Sequence, residues 1–254
     1  MGQGHAVLVR TSNKSLLYDT GPRYSPETDA GQRVLVPLLI ALGERLDRVI
    51  ISHQDSDHSG GAHSVLKMQP QADVLTSIPS VHLLRSIHPM QTCTAGQHWQ
   101  WDGVHFSVLH PQQADYVKKL KPNALSCVLR IESASGKSAL LVGDIEAAQE
   151  NQLVQSGVNL KSDWLLVPHH GSATSSTQSF LKAVSPNFAW VQAGYRNRFG
   201  HPRQDVIARY ATLDIRVFQS VRCGASVWQS DKPERMRCER DEQRRYWHHT
   251  VPPR

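Results

Sequence analysis

No apolar run in this chain of 254 residues approaches the roughly 20 needed to span a bilayer, which excludes a transmembrane helix within it. No charged-then-apolar signal segment opens it either. Cys93, Cys127, Cys223 and Cys238 show no Cys-x-x-Cys spacing, so neither a zinc knuckle nor a redox pair is indicated. A disulfide between any two of them stays open. Cys127 lies in an apolar strand pattern and reads as a buried small hydrophobe. Internal repeats, low-complexity stretches and arginine-rich blocks are absent. There is no evident aromatic platform for stacking single-stranded bases. Trp99 and Trp101 would share a strand face, and core packing is the simpler reading of both.

What is present suits one enzyme-sized unit with a single sizeable core, over residues 1–230. Lys and Arg number 28 against 22 Asp and Glu, a formal net charge of +6. The pI near 9.3 is one mark of a nucleic-acid binder, though charge alone also serves solubility. The basic residues are spread out, among them Lys118, Lys119, Lys121, Arg196, Arg198 and Arg203. From Asp231 the character changes: residues 231–254 carry seven basic and five acidic side chains and almost no aliphatics. Such a stretch buries too little apolar surface to offset chain entropy, so a frayed helix or disorder is expected, a flexible tail in either case. His248 and His249 tempt as ligands, but a terminal tail preorganises a metal poorly.

Strand and helix patterns alternate, which points to α/β layers. Residues 6–10 and 15–19 read as a strand pair. Residues 33–42 carry an amphipathic stripe interrupted by Pro37, which either starts or kinks the helix. Further strands are expected at 48–52, 73–76, 104–109, 125–131, 139–142, 164–167, 187–192, 215–218 and 225–228. Helices are expected at 62–68, 146–155, 176–184 and 203–211.

The strand at 48–52 runs into His53-Gln54-Asp55-Ser56-Asp57-His58-Ser59-Gly60-Gly61. Two imidazoles and two carboxylates thus crowd six positions. A loop leaving a strand lets such side chains converge, as the two faces of a continuing strand would not. Imidazole and carboxylate are the ligand set for zinc, manganese or iron, and two such metals bridged by water form a hydrolytic centre.

This run resembles the metal-binding signature of the metallo-β-lactamase fold, with Asp55 standing where the commoner pattern has a second His. In that respect it resembles the C-terminal domain of ComEC, the channel protein of bacterial DNA uptake. Gly2-Gln3-Gly4-His5-Ala6, Leu16-Leu17-Tyr18-Asp19-Thr20-Gly21, Leu141-Val142-Gly143-Asp144-Ile145-Glu146, Val167-Pro168-His169-His170-Gly171-Ser172 and Asn197-Arg198-Phe199-Gly200-His201-Pro202 follow in the family order. The likeness covers about residues 2 to 229. It implies an αββα sandwich of two mixed sheets flanked by helices. It also implies more chain before residue 1, with membrane segments and an upstream domain.

By the same resemblance His53 and Asp55 serve a first divalent cation, Asp57 and His58 a second, and Asp144 bridges them. Asp144 could also cap the helix before Glu146. His169 is favoured over His170 as a ligand, because neighbours leave a strand in opposing directions. His201 could close the second metal's shell, act as general acid, or simply hold a turn. His110 is a candidate third ligand of the first metal, ahead of His98 and His105. Asp19 would orient a ligand imidazole, and Ser172 could hold a phosphate oxygen. Asp55 in place of His enriches the first site in oxygen, which favours manganese while leaving zinc open. The expected reaction is phosphodiester hydrolysis by a nuclease degrading the DNA strand that does not enter the cell during natural transformation, with Asp57 and His201 in the catalytic set. Its partners would be DNA, the channel of the same full-length protein and other competence proteins, on the outer face of the cytoplasmic membrane. Two alternatives remain: another phosphodiesterase of this fold, or a DNA-binding domain without catalysis.

Overall fold

The computed structural model describes residues 2–244. Two large sheets face each other, and helices cover both outer sides, the αββα order implied by the motifs. In space the first sheet runs Val7–Arg10, Ser15–Tyr18, Arg48–Ile51, Asp73–Thr76, Gln91–Thr92. Only its first pair is antiparallel. The second sheet runs Arg216–Gln219, Phe188–Val191, Trp164–Leu166, Ser138–Leu141, Val128–Glu132, Val104–His110, His98–Trp101. It is parallel as far as Ser138–Leu141 and antiparallel beyond.

The strands read as continuous apolar runs because both faces are buried. Leu16 and Tyr18 point between the sheets, while Leu17 points to the outer helices. Ile50 lies inside, with Val49 and Ile51 outside. Leu141 and Leu166 repeat the alternation in the second sheet against Leu140, Val142, Leu165 and Val167. Val36–Leu42 and Ala62–Met68 cover the first sheet. Ala147–Gln155, Gln178–Val184 and Gln204–Ala211 cover the second. Trp99 stacks on Phe106 with centroids 5.0 Å apart and packs with Trp101 against the core, as the sequence suggested. No helix among the described residues is long and apolar enough to cross a membrane.

Several boundaries differ from expectation for local reasons. Pro37 falls in the first turn of Val36–Leu42 but inside a longer helical run, where its missing N–H removes one backbone bond to the turn before it. A π-helical turn, Gly31–Leu35, leads into it. The strand expected from 125 starts at Val128, because Pro122 opens a short 3₁₀ turn, Pro122–Leu125. The helix expected from 176 starts at Gln178, with Thr177 as its cap. Ser226–Trp228 joins neither large sheet and pairs with Met236–Cys238.

Within the charged segment from Asp231, the described residues 231–244 include the strand Met236–Cys238 and the short helix Glu239–Glu242. A disulfide from Cys238 to Cys223 ties this charged segment down where apolar burial could not. His248 and His249 lie outside the described residues. Cys127 is buried as expected, yet it is not free. It pairs with Cys93, which follows Gln91–Thr92, so this bridge links the two sheets.

Candidate metal centre

All the motifs meet at one edge of the sandwich, where the parallel strands end at their carboxyl ends. Arg48–Ile51 delivers residues 53–58, Ser138–Leu141 delivers Asp144, and Trp164–Leu166 delivers His169 and His170. Phe188–Val191 leads to Gln192 and the loop carrying His201. Val7–Arg10 runs the opposite way to its neighbour, so His5, just before it, lies at the same edge.

The signature loop turns at once into the short helix Ser56–Ser59. Gly60 and Gly61 follow because no side chain fits there. A Cβ at Gly60 would strike the Arg23 amide and the Ser56 carbonyl, and one at Gly61 the Thr20 carbonyl. This close seating also brings His5 in, since its N–H donates to the Asp57 carbonyl at 3.1 Å.

At the centre, His5, His58, Asp144 and His170 are buried and offer donor atoms all within 4.8 Å of one another. Asp144 presents its two oxygens to different imidazoles. Oδ1 is 3.1 Å from His58 Nε2 and 3.8 Å from His5 Nδ1. Oδ2 is 3.6 Å from His170 Nε2 and 3.7 Å from His169 Nε2. Asp57 Oδ2 lies 3.2 Å from His170 Nε2. His53 Nε2 lies 3.6 Å from Asp55 Oδ2, and Asp55 is half-exposed.

Outer partners fix which nitrogen each ring turns inward. Asp19 Oδ2 sits 2.8 Å from His58 Nδ1, and the same carboxylate accepts from the Ser52 N–H at 2.6 Å and the Ser52 hydroxyl at 2.9 Å. Nδ1–H of His170 donates to the Gln192 carbonyl at 2.6 Å. In both rings Nε2 is the nitrogen turned toward Asp144. The Gln192 side chain also bonds both backbone groups of Ala6, at 2.9 and 2.8 Å, and so holds His5 as well.

The structure brings His170, and not His169, into the buried cluster. Both residues lie in a left-handed turn, at φ 49° and 54°, so the alternation of a strand does not apply to them. His170 enters the buried cluster, while His169 stays half-buried beside Asp144, with Nδ1 3.2 Å from Thr174 Oγ1. His201 packs edge-on to His169 at 5.8 Å. Its loop is seated by Gly171, at φ 84°, where a Cβ would press into Pro202. His110 is not brought to the cluster: its Nε2 donates to the Ala124 carbonyl at 2.9 Å. The Ser172 hydroxyl faces Thr174 Oγ1 at 3.1 Å. Sequence reasoning missed His5 as a candidate ligand, although Gly4, whose Cβ would strike the Asp57 carbonyl, marks the close approach that places it.

The electrostatics suit cation binding, which needs ionised carboxylates and neutral imidazoles. Burial alone would raise the Asp144 carboxyl, but His58 and His170 hold it well below the usual carboxylate range. For Asp57 burial likewise opposes ionisation, and the His170 hydrogen bond and His58 bring it to about 2. Burial, reinforced by His170 and His58, pushes His5 well below the ordinary imidazole value. Burial and His169 lower His201 to about 4. His58 is the exception. Burial lowers it, but Asp144 and Asp19 more than reverse this, so a cation taking Nε2 would displace a proton.

The donor set passes a stricter test of fit. Apart from the indole nitrogens of Trp99 and Trp164, every buried side-chain N or O without a hydrogen bond among the described residues belongs to this site. They are both nitrogens of His5, Nε2 of His53, His58 and His170, Nδ1 of His201 and Oδ1 of Asp144. Each such atom left unsatisfied costs about 1–3 kcal/mol. Those of His5, His58, Asp144 and His170 lie within 4.8 Å of one another, so a divalent cation there would satisfy one donor of each together.

The family model of the Metallo-beta-lactamase superfamily matches residues 1–194. Among curated proteins, the chain is 41% identical over 226 residues to "Competence protein ComA" of Neisseria gonorrhoeae, covering 88% of this chain and 30% of that protein. It is 36% identical to "Recombination protein 2" of Haemophilus influenzae, covering 82% and 25%, and 30% identical to "ComE operon protein 3" of Bacillus subtilis, covering 87% and 31%. The chain thus spans a quarter to a third of the length of these relatives. Among solved structures, the metallo hydrolase Igni18 of Ignicoccus hospitalis aligns with a TM-score of 0.53 at 15% identity, over 86% of this chain and 93% of that one. CmlA, a diiron β-hydroxylase from Streptomyces venezuelae, aligns at 0.52 and 14%, over 83% and 49%. At such identities these two speak to the fold alone.

Proposed function

From the premise that the chain belongs to the metallo-beta-lactamase superfamily, we propose that it is the metal-dependent nuclease domain of a ComEC-like DNA-uptake protein, degrading the strand that is not taken in. The observation that carries the reading is the buried Asp144 carboxylate, with Oδ1 facing His58 Nε2 and His5 Nδ1 and Oδ2 facing His170 Nε2, nitrogens that have no other hydrogen-bond partner. The likeness to a competence protein supports the choice of DNA as substrate, which the fold by itself does not specify.

In this reading two cations are held, manganese by preference and zinc as the alternative. His53 and Asp55 hold one, His5, Asp57, His58 and His170 the other, and Asp144 is shared. When bound, they supply the positive charge that activates water and steadies the developing charge on phosphorus and the departing oxygen. The chain's own residues do the rest. Asp19 and the Gln192 carbonyl fix the rings of His58 and His170 before substrate arrives. Asp57 and Asp144 stay ionised across the physiological range. At the open side, His169 and His201 face the phosphodiester. His201, at about 4, is neutral at pH 7 and donates a hydrogen bond as imidazole rather than a full proton as imidazolium. The full-length protein would then carry this domain on the outer face of the cytoplasmic membrane, beside its own channel and other competence proteins.

The test is cleavage of labelled single- and double-stranded DNA by the purified chain, stripped of metal and resupplied with manganese. Asp57→Ala and Asp144→Ala run beside it. Cutting that requires manganese and both aspartates is the expected result. DNA retained uncut by a metal-loaded chain would refute the nuclease and favour a binding domain.

A further inference from the structure

Resting on the nuclease reading above, we propose that the loop 195–199 is a stacking and phosphate-binding platform that leads single-stranded DNA, in preference to duplex, into the metal centre. Phe199 is 49% exposed and Tyr195 45% exposed. Single exposed aromatics are ordinary on a surface, so exposure by itself argues nothing. The setting does. Phe199 stacks on His201 with centroids 5.6 Å apart and planes 24° from parallel. His201 meets His169 at 5.8 Å, and His169 Nε2 is 3.7 Å from Asp144. A row of rings therefore runs from the surface to the shared carboxylate.

The loop is clasped by one of its own side chains. Asn197 ties its two ends, donating to the carbonyls of Gly194 at 2.9 Å and His201 at 2.6 Å and accepting from the His201 N–H at 3.0 Å. Arginines alternate with the aromatics: Arg196 lies over Tyr195 at 5.2 Å and Arg198 over Phe199 at 4.8 Å. An exposed cation–π contact of this kind is worth about 0.5–1 kcal/mol. A stacked base contributes about 1–3 kcal/mol, so it can displace the guanidinium, which is then free to meet the phosphate. Across His169 the Asn123 amide, 3.4 Å from Nε2, belongs to a second loop with exposed Lys119 and Lys121. Positive charge therefore flanks both sides of the path, as a sugar–phosphate backbone requires. In duplex DNA the base faces are already stacked on one another and closed to Phe199.

Anisotropy of a labelled oligothymidylate and of a hairpin duplex, with the whole chain held in chelator, reads binding apart from cutting. Phe199→Ala should weaken single-strand binding about tenfold and leave the hairpin unchanged, while Phe199→Trp restores it. Arg198→Ala should lower the salt slope by about one. Thermal melting checks that each variant is folded. Equal affinity of wild type and Phe199→Ala for the single strand, or equal loss on both DNAs, overturns the platform. A chain that never cuts yet shows the Phe199-dependent binding loses the nuclease and keeps the platform. One that cuts while Phe199→Ala binds normally does the reverse.

Discussion

Asp19→Asn tests whether the buried carboxylate behind His58 sets the metal-binding state of the ring. Asp19 sits at φ 59°, a left-handed conformation that asparagine tolerates, so the backbone should hold. The carboxylate accepts three hydrogen bonds, from the Ser52 N–H, the Ser52 hydroxyl and His58 Nδ1. An amide can accept only at its oxygen. Its NH₂ would face either His58 Nδ1 or the serine, and in the first case it forces the His58 proton onto Nε2, the atom that should carry the lone pair. Losing such an outer partner lowers metal affinity about 10–100-fold, or about 1.4–2.7 kcal/mol. The metal-free chain should also lose about 1.5–3 kcal/mol of stability, the worth of one buried charge-assisted hydrogen bond. Chelator-competition titrations with manganese and zinc measure the first quantity, and urea unfolding of the stripped protein measures the second. Wild-type metal affinity in a variant of reduced stability would refute the reasoning, because it would make Asp19 a purely structural group.

Two further outcomes follow from the geometry. His170→Ala and His5→Ala should each reduce manganese affinity by about 10-fold or more, and His169→Ala by less, because only the first two lie in the buried cluster; calorimetric titration of the three variants checks the order. Glu150, whose oxygens receive the N–H groups of Ser176 and Thr177, has its carboxyl raised above its ordinary value of 4.5, chiefly by burial. A raised folded value means a contribution to stability that is present below 4.5 and lost as pH rises through the folded value. The unfolding free energy of wild type minus that of Glu150→Gln should therefore fall on going from pH 4 toward neutrality, and urea titrations at several pH values will show a flat difference if the reasoning is wrong.

Most of the framework was legible from the chain because its cues are local. Apolar β-branched runs such as Val49-Ile50-Ile51 mark strands buried on both faces, and the stripe through residues 62–68 marks a helix whose bounds match. The signature loop was legible because all its donors lie within six positions. What the chain hid depends on long-range approach. His5 has no neighbouring ligand in sequence, and only the seating of Gly4 against Asp57 reveals it. The order of His169 and His170 turns on a left-handed backbone that strand reasoning does not anticipate. The pairing of Cys223 with Cys238, which joins the segment after Asp231 to the rest, is one that spacing alone left open. The aromatic platform escaped notice because Tyr195 and Phe199 share no strand or helix periodicity; a side-chain clamp from Asn197 holds their loop.

Gln192 gives the molecule a sense of its own completion. Its side chain grips Ala6, 186 positions away, while its carbonyl steers His170, so the earliest and among the latest contributors to the centre lock in one event. During synthesis the amino-terminal half can fold its sheet first. The contacts of Gln192 with Ala6 and His170 can form only once the strand before Gln192 has docked. Cation capture would thus be a late reporter of assembly, and hydrolytic competence would arrive with the finished sandwich rather than growing by degrees along the nascent chain.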